Sequence, residues 1–326
     1  MSEALLHLDK VERRFGGGKS LLGKPKPAVH AVQGIDIKVS DGETLGIVGE
    51  SGCGKSTLAR MIVGLDVPTS GTITFAGTDL AGMAKKDHKR LAQKIQYVFQ
   101  DPVASLNPRK TIRQILEAPL IQLRDLDRSM RQARLEELLQ AVNLAPEFLD
   151  RYPHEFSGGQ AQRIGIARAL AADPELIVLD EPVSALDVSV QAQVLNILDD
   201  LKRQFGLTYL FISHDLSVVE SICDRVMVMY FGSLVEIGRT EDVFRNPRHP
   251  YTRLLLQSAP APGRKVLISE DANTELPDPF HPPVGCAFYA RCDRRSDQCK
   301  SVRPILDDNK AEETHRSACL HPFLAG

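Results

Sequence analysis

The sequence predicts an α/β protein. Its parts are a phosphate-loop core on a parallel sheet, an antiparallel β subdomain, a helical subdomain and a small Cys-rich C-terminal extension. Three observations predict it. The apolar run Thr44–Val48 leads into Gly49-Glu50-Ser51-Gly52-Cys53-Gly54-Lys55-Ser56, which fits G-x-x-x-x-G-K-[ST], and a helical pattern from Thr57 to Val63 leads out. A second apolar run, Leu176–Leu179, ends in Asp180-Glu181, as a central parallel strand with acids at its C-terminal edge does. After Pro260 the chain turns rich in Pro, Asp and Cys and loses periodicity.

The elements follow in order. Up to residue 99 the pattern reads as strands joined by glycine turns. Ile35–Val39 alternates as a half-exposed strand, Asp41-Gly42 marks a turn, and Glu43–Val48, Thr72–Phe75 and Ile95–Phe99 are further strands. Residues 16–27 (GGGKSLLGKPKP) interrupt the first strands, either as a solvated loop or as a segment near anionic phospholipid. Residues 101–172 change character to a helical subdomain. One helix begins through Ile112, Ile115 and Leu116, and a second carries Leu135, Leu138, Leu139 and Val142 at three- and four-residue spacing. A third runs from Ser157 through Ala172. The α/β pattern resumes at Leu176, with a helix face of Val190, Val194, Ile197, Leu198 and Leu201 and strands at Thr208–Ile212 and Arg225–Tyr230. Cys223 is expected in an amphipathic helix as a small buried apolar residue. The core spans 1–258 and the extension 259–326.

Size and charge bound the function. With 326 residues and 43% hydrophobic composition, the chain has room for two domains or one large domain with an appendage. No apolar run approaches the roughly 18 residues that span a bilayer. The start, Met1-Ser2-Glu3-Ala4, lacks the basic and apolar regions of a secretory signal, so a cytosolic protein is expected unless a partner holds it at a membrane. Forty basic and 42 acidic residues give a net charge of −2, which offers no footprint for nucleic acid as a partner.

The phosphate loop dictates its own chemistry. Gly49, Gly52 and Gly54 let backbone N–H groups of this loop, which also holds Glu50, Ser51 and Cys53, converge on a β-phosphate, and the helix from Ser56 and Thr57 adds its positive end. Lys55 suits the β/γ oxygens, and the Ser56 hydroxyl suits Mg²⁺, which takes few protein ligands. Asp180 is placed to hold that Mg²⁺ directly or through water, and Glu181 to orient and polarise an attacking water.

Phe156-Ser157-Gly158-Gly159-Gln160 is similar to the signature motif of ATP-binding cassette (ABC) proteins. Ser157 can cap the following helix, while Gly158 and Gly159 leave N–H groups open to a γ-phosphate. The resemblance sets this motif across a dimer interface, against the phosphate loop of the opposing subunit. Further positions match in order. Gln100 resembles the glutamine that senses Mg²⁺ and the transmembrane partner, and Ser184–Asp187 the loop that links the two sites. His214 resembles the switch histidine at the γ-phosphate, and Phe15 the aromatic that stacks on adenine. This resemblance covers residues 5–258.

Three further segments resemble the peptide-importer group and carry the likeness over nearly the whole chain. They are Gln100-Asp101-Pro102 with Ser105–Arg109, Asn246-Pro247-Arg248-His249-Pro250-Tyr251-Thr252, and Pro282–Phe288 with Arg291-Cys292. Together they resemble the second ATPase subunits of bacterial dipeptide and oligopeptide permeases, the dipeptide kind in particular. The resemblance implies ATP and Mg²⁺ with Glu181 and His214 as catalytic residues. It implies a second, non-identical ATPase subunit, two transmembrane permease subunits and a periplasmic peptide-binding protein. It places the chain on the cytoplasmic face of the inner membrane. The rival readings are a soluble ABC ATPase acting on ribosomes or nucleic acid, and an importer for nickel chelates or haem.

Four of the six cysteines, Cys286, Cys292, Cys299 and Cys319, cluster in the tail as C-x5-C-x6-C-x19-C. In a cytosolic chain this argues for a metal rather than disulfides, and four thiolates suit either Zn²⁺ or a [4Fe–4S] cluster. The resemblance favours the cluster, as a structural staple for a loop-rich segment.

Overall fold

The structure, a computed structural model, describes residues 4–18, 26–258, 276–306 and 314–323. Two sheets carry the chain. The smaller consists of β1 (Leu6–Gly16), β2 (Ala28–Val39), β4 (Ser70–Phe75) and β5 (Thr78–Asp79), in the order β2-β1-β4-β5 and antiparallel throughout. The larger is built from β3 (Thr44–Val48), β6 (Ile95–Val98), β7 (Leu176–Asp180), β8 (Thr208–Ile212), β9 (Arg225–Tyr230), β10 (Ser233–Arg239) and β11 (Arg316–Ser317). Its order is β11-β10-β9-β3-β8-β7-β6, parallel from β9 to β6 and antiparallel at the β10 and β11 edge. The expected α/β core and antiparallel subdomain are therefore present. Because β3, β6, β7 and β8 run parallel, the residues that follow each strand gather at one edge of the sheet.

The central strands β3, β7 and β8 are buried along their whole length, so they are almost wholly apolar. In β7, Leu176 and Val178 join the core that holds Leu58 and Met61 of α1 (Lys55–Ile62), whereas Ile177 and Leu179 face the core of Val194 and Leu198 from α7 (Val188–Phe205). Two short helices, α2 (Leu80–Lys86) and α3 (His88–Lys94), lie where only strands and turns were expected. Asp79 accepts the Gly82 N–H at 2.8 Å and Asp87 the Arg90 N–H at 2.9 Å, so both are capped from the side chain. Each buries only one or two residues, Leu80 and Ala84 or Leu91, too few for a 3.6-residue period to show.

The helical subdomain contains α4 (Ile112–Gln122), α5 (Arg128–Ala141) and α6 (Gly158–Leu170). Thr111 with Gln114, and Ser157 with Gln160, form capping boxes, and Asp127 caps α5. Helix α6 stops at Leu170, two residues short of expectation. Leu116, Leu120, Leu135, Leu138, Leu139 and Ile164 are fully buried together. Leu139→Ala is expected to cost about 3 kcal/mol of stability, measured by urea denaturation of the full chain.

Helix α8 (Leu216–Ile222) ends before Cys223, which caps it and packs beneath Gly46 rather than lying within the helix. The 16–27 insertion closes the β1–β2 hairpin, with Gly17 N–H bonded to Pro27 O at 3.1 Å and Lys26 N–H to Gly18 O at 2.9 Å, while residues 19–25 lie outside the described set. The composition change at Pro260 lies outside it as well. Beyond α9 (Thr240–Arg245) and α10 (Pro250–Ser258), the described tail returns to the core: it contributes α11 (Gln298–Ser301) and strand β11, which extends the large sheet through β10.

Candidate active site

The loop after β3 is shaped by its glycines. Gly54 sits at φ +104°, and a Cβ there would lie 2.2 Å from the Ala31 carbonyl oxygen; at Gly49, with φ +150°, it would lie 2.2 Å from the Met229 carbonyl. Only glycine lets the loop press this closely on β2 and β9. Gly54 is also the N-cap of α1 and offers no capping side chain, so the first N–H groups of α1 face the loop. The Lys55 ammonium lies back over the loop, donating to the carbonyls of Gly49 at 2.7 Å and Glu50 at 3.0 Å. Cys53 is buried beside it, and burial pushes its thiol up.

Three sheet-edge residues meet at one carboxylate. Gln100 Nε2, after β6, donates to Glu181 Oε2 at 2.7 Å, and His214 Nδ1, after β8, lies 3.2 Å from Glu181 Oε1. The Glu181 backbone is left-handed, with φ +48°, and its N–H donates to the Ile212 carbonyl at 2.9 Å. A strained non-glycine residue at a strand end is a device for aiming a side chain. The neighbouring Asp180 is buried and accepts the Tyr97 hydroxyl proton at 2.5 Å; burial, followed by this bond, pushes the Tyr97 phenol up.

Ser51, Gly52, Gly54, Lys55, Ser56, Thr57, Gln100, Glu181 and His214 line a single cavity of about 480 Å³. Small-molecule sites run to roughly 300–1,000 Å³. Val29, His30, Ala31, Phe231, Gly232 and Pro279 complete its wall, and none of these was anticipated. Ser56 and Gln100, oxygen donors of the kind Mg²⁺ takes, line the cavity, whereas Asp180 at the end of β7 is buried against Tyr97 and is not in its wall. Phe15 is not in the wall. It sits on β1 opposite Val29, which is in the wall, with the Arg13 guanidinium 4.5 Å from its ring centroid.

The signature lies away from this cavity. Ser157 and Gly158 are exposed at the start of α6, and Asp187 is exposed at the N-cap of α7. Ser157 Oγ accepts the Gln160 N–H at 3.4 Å while Gln160 Oε1 accepts the Ser157 N–H at 3.1 Å. Gly159 has a local reason for lacking a side chain, since a Cβ would fall 2.3 Å from Val190 Cγ1 on α7.

A further set of contacts ties the tail to the loop. Arg291 donates from both terminal nitrogens to both Glu50 carboxylate oxygens, each at 2.8 Å, and the Glu50 N–H donates to the Tyr251 hydroxyl at 2.9 Å. The peptide-importer segment around His249 is fixed by buried Glu236, which accepts the N–H groups of Arg248 at 2.7 Å and His249 at 2.8 Å and pairs with His315 Nε2 at 2.6 Å. Burial pushes His249 down to about 4. His249 Nδ1 in turn accepts the Tyr251 N–H at 3.0 Å, which sets Tyr251 under the loop.

Cys286, Cys292, Cys299 and Cys319 line one cavity with His249 and His321. Burial pushes the thiols of Cys286, Cys292 and Cys319 up, Cys319 to about 11, and neighbouring sulfurs add to each shift. The His321 N–H lies 3.4 Å from Cys319 Sγ and the Ser296 hydroxyl 3.5 Å from Cys299 Sγ, so two polar groups already face the sulfurs. Among the described residues, no three His, Cys, Asp or Glu side chains are disposed to hold a single metal ion. Four thiolates bound to one zinc would each lie about 2.3 Å from it. The described residues therefore present no preformed site for either a zinc ion or a cluster.

The family model for ABC transporters matches residues 32–184, and that for the C-terminal region of oligopeptide/dipeptide transporters matches residues 235–299. The oligopeptide transport ATP-binding protein OppF of Salmonella typhimurium is 47% identical, over 95% of this chain and 93% of its own. The chain belongs to the ABC transporter family, as an ATP-binding subunit. The dipeptide transport ATP-binding protein DppF of Escherichia coli is also 47% identical, over 94% of this chain and 92% of its own, so identity does not separate the two kinds of permease. The dimeric ATP-binding cassette MJ0796 in a post-hydrolysis state, bound to ADP and Pi, is 28% identical with a TM-score of 0.64, over 72% of this chain and 98% of that one. The ATPase expected from the sequence therefore stands, with ATP and Mg²⁺ as the nucleotide and ion of this ABC subunit. Among the described residues no helix is long and apolar enough to cross a membrane.

Proposed function

We propose that this ABC subunit powers peptide import by hydrolysing ATP at a site it shares with a second, non-identical ATPase subunit. It acts from the cytoplasmic face of the inner membrane, beneath two transmembrane permease subunits supplied by a periplasmic peptide-binding protein. The observation that carries the catalytic half is the meeting of Gln100 and His214 on Glu181 in the cavity behind the phosphate loop. Glu181 takes the proton of the attacking water and His214 holds the γ-phosphate end. The loop N–H groups and Lys55 neutralise the phosphates. Ser56 and Gln100 in the cavity wall, with Asp180 at the end of the adjacent strand, would hold Mg²⁺, which would supply charge stabilisation on the phosphate oxygens. The exposed first turn of α6 completes the site of the opposing subunit, with Asp187 at the seam between the two.

The peptide half of the reading is supported by the tail, whose match lies with oligopeptide and dipeptide transporters. ATPase activity of the complex co-purified from its native membrane should rise with peptide-loaded binding protein. Stimulation by ribosomes or nucleic acid instead would favour the soluble reading, and stimulation only by a nickel- or haem-loaded protein would redirect the solute.

The four tail cysteines hold a [4Fe–4S] cluster on this reading, as a staple for a segment of low apolar content. Protein purified without oxygen should contain iron and acid-labile sulfide in equal amounts. Stoichiometric zinc without iron would refute it.

A further inference from the structure

We propose that Arg291 is a positioning residue for the phosphate loop, through which the four-cysteine tail sets the affinity of the ATP site. The proposal rests on that loop being the ATP site.

Glu50 is an awkward residue for its place. A carboxylate in a loop that receives a triphosphate opposes the ligand's charge, and each exposed carboxylate near the site weakens binding. Arg291 removes the conflict. Its two terminal nitrogens meet both Glu50 oxygens at 2.8 Å, a fork-to-fork pair that Lys cannot reproduce. The Arg291 side chain is only 10% exposed, against 29% for Glu50, so the pair is better shielded from solvent than a surface ion pair.

The pair also fixes the backbone. The Glu50 N–H is held by the Tyr251 hydroxyl, while the Glu50 carbonyl accepts from Lys55 Nζ. A rotation of Glu50 therefore moves an acceptor of the lysine that meets the phosphates. Clamped at its N–H and at its carboxylate, Glu50 has little freedom to turn.

Arg291 is mounted on the tail. It closes the short turn Tyr289–Arg291, between Cys286 and Cys292, with its N–H on the Phe288 carbonyl at 3.1 Å. Its guanidinium lies 5.7 Å from the Phe288 ring and 5.9 Å from Tyr230, and Phe288 packs on Tyr230 and Tyr251 at 5.3 and 5.5 Å. The next residue, Cys292, belongs to the thiol cavity. Whatever orders the cysteines orders the turn that carries Arg291.

The test is titration of the full chain with ATP and Mg²⁺ by calorimetry. Arg291→Ala should raise the ATP dissociation constant about tenfold, because it leaves the Glu50 carboxylate unpaired in the phosphate loop and frees the carbonyl that Lys55 donates to. Combining it with Glu50→Gln should restore most of that loss, a recovery that a purely structural role for Arg291 does not give. Arg291→Lys, which keeps the charge, should fall between, and it serves if Arg291→Ala does not fold. In turnover the loss should appear in KM for ATP with kcat nearly unchanged. Wild-type affinity in Arg291→Ala or Arg291→Lys, or equal losses with and without Glu50→Gln, would overturn the proposal. Lys55→Ala is the control: normal ATP binding there would reject the loop as the ATP site, whatever Arg291 does.

Discussion

Glu181→Gln is expected to bind ATP as the wild type does and to turn it over at least about a thousandfold more slowly, the scale of loss when a positioned general base is removed. The substitution is close to isosteric, and glutamine adopts the left-handed backbone at φ +48° no worse than glutamate. The Ile212 carbonyl still receives the residue-181 N–H. What disappears is the carboxylate on which Gln100 and His214 converge, at 2.7 and 3.2 Å. Removing a negative charge near the γ-phosphate should leave ATP affinity equal or slightly higher. Single-turnover hydrolysis and equilibrium ATP binding, measured on the same preparation, separate the two effects. Hydrolysis at the wild-type rate would move the base elsewhere.

How much of this was legible in the sequence depends on the range of each contact. Strands β3 and β7 were legible because both faces are buried, so each is a continuous apolar run, and the loop and paired acids follow directly. The gathering of Gln100, Glu181 and His214 was legible at one remove, since parallel strands deliver their following residues to the same edge. Helices α2 and α3 were not, because seven residues with one or two buried side chains carry no period.

Partners far apart in sequence were not legible either. Tyr97 and Asp180 lie 83 positions apart, and Glu50 and Arg291 lie 241 apart. The segments around Tyr251 and Arg291 were singled out by resemblance, yet no local pattern says that both reach the phosphate loop. Phe15 is a local contrast: the register of the β1–β2 hairpin pairs it with Val29, which lines the cavity, and leaves Phe15 itself beneath Arg13 and outside the wall.

Ser157→Asp should separate what the signature does for its own chain from what it does for the opposing subunit. Within the chain, Ser157 is the N-cap of α6, and aspartate is as good an N-cap as serine and suits the positive end of a helix. The melting temperature should therefore hold or rise slightly. Across the proposed interface, the same carboxylate would stand where a γ-phosphate is to be received, and like charges in a water-poor site repel strongly. ATPase activity of the assembled complex should fall about a hundredfold at the site this signature completes, the order of loss when an oxyanion donor is removed. Ser157→Asn gives the neutral comparison. It caps equally well and adds no charge, so its loss should be much smaller. The order aspartate far below asparagine, with all three proteins equally stable, is what a phosphate-facing helix start requires. Equal activity in aspartate and asparagine variants would confine Ser157 to capping, and the shared-site arrangement would lose its main support.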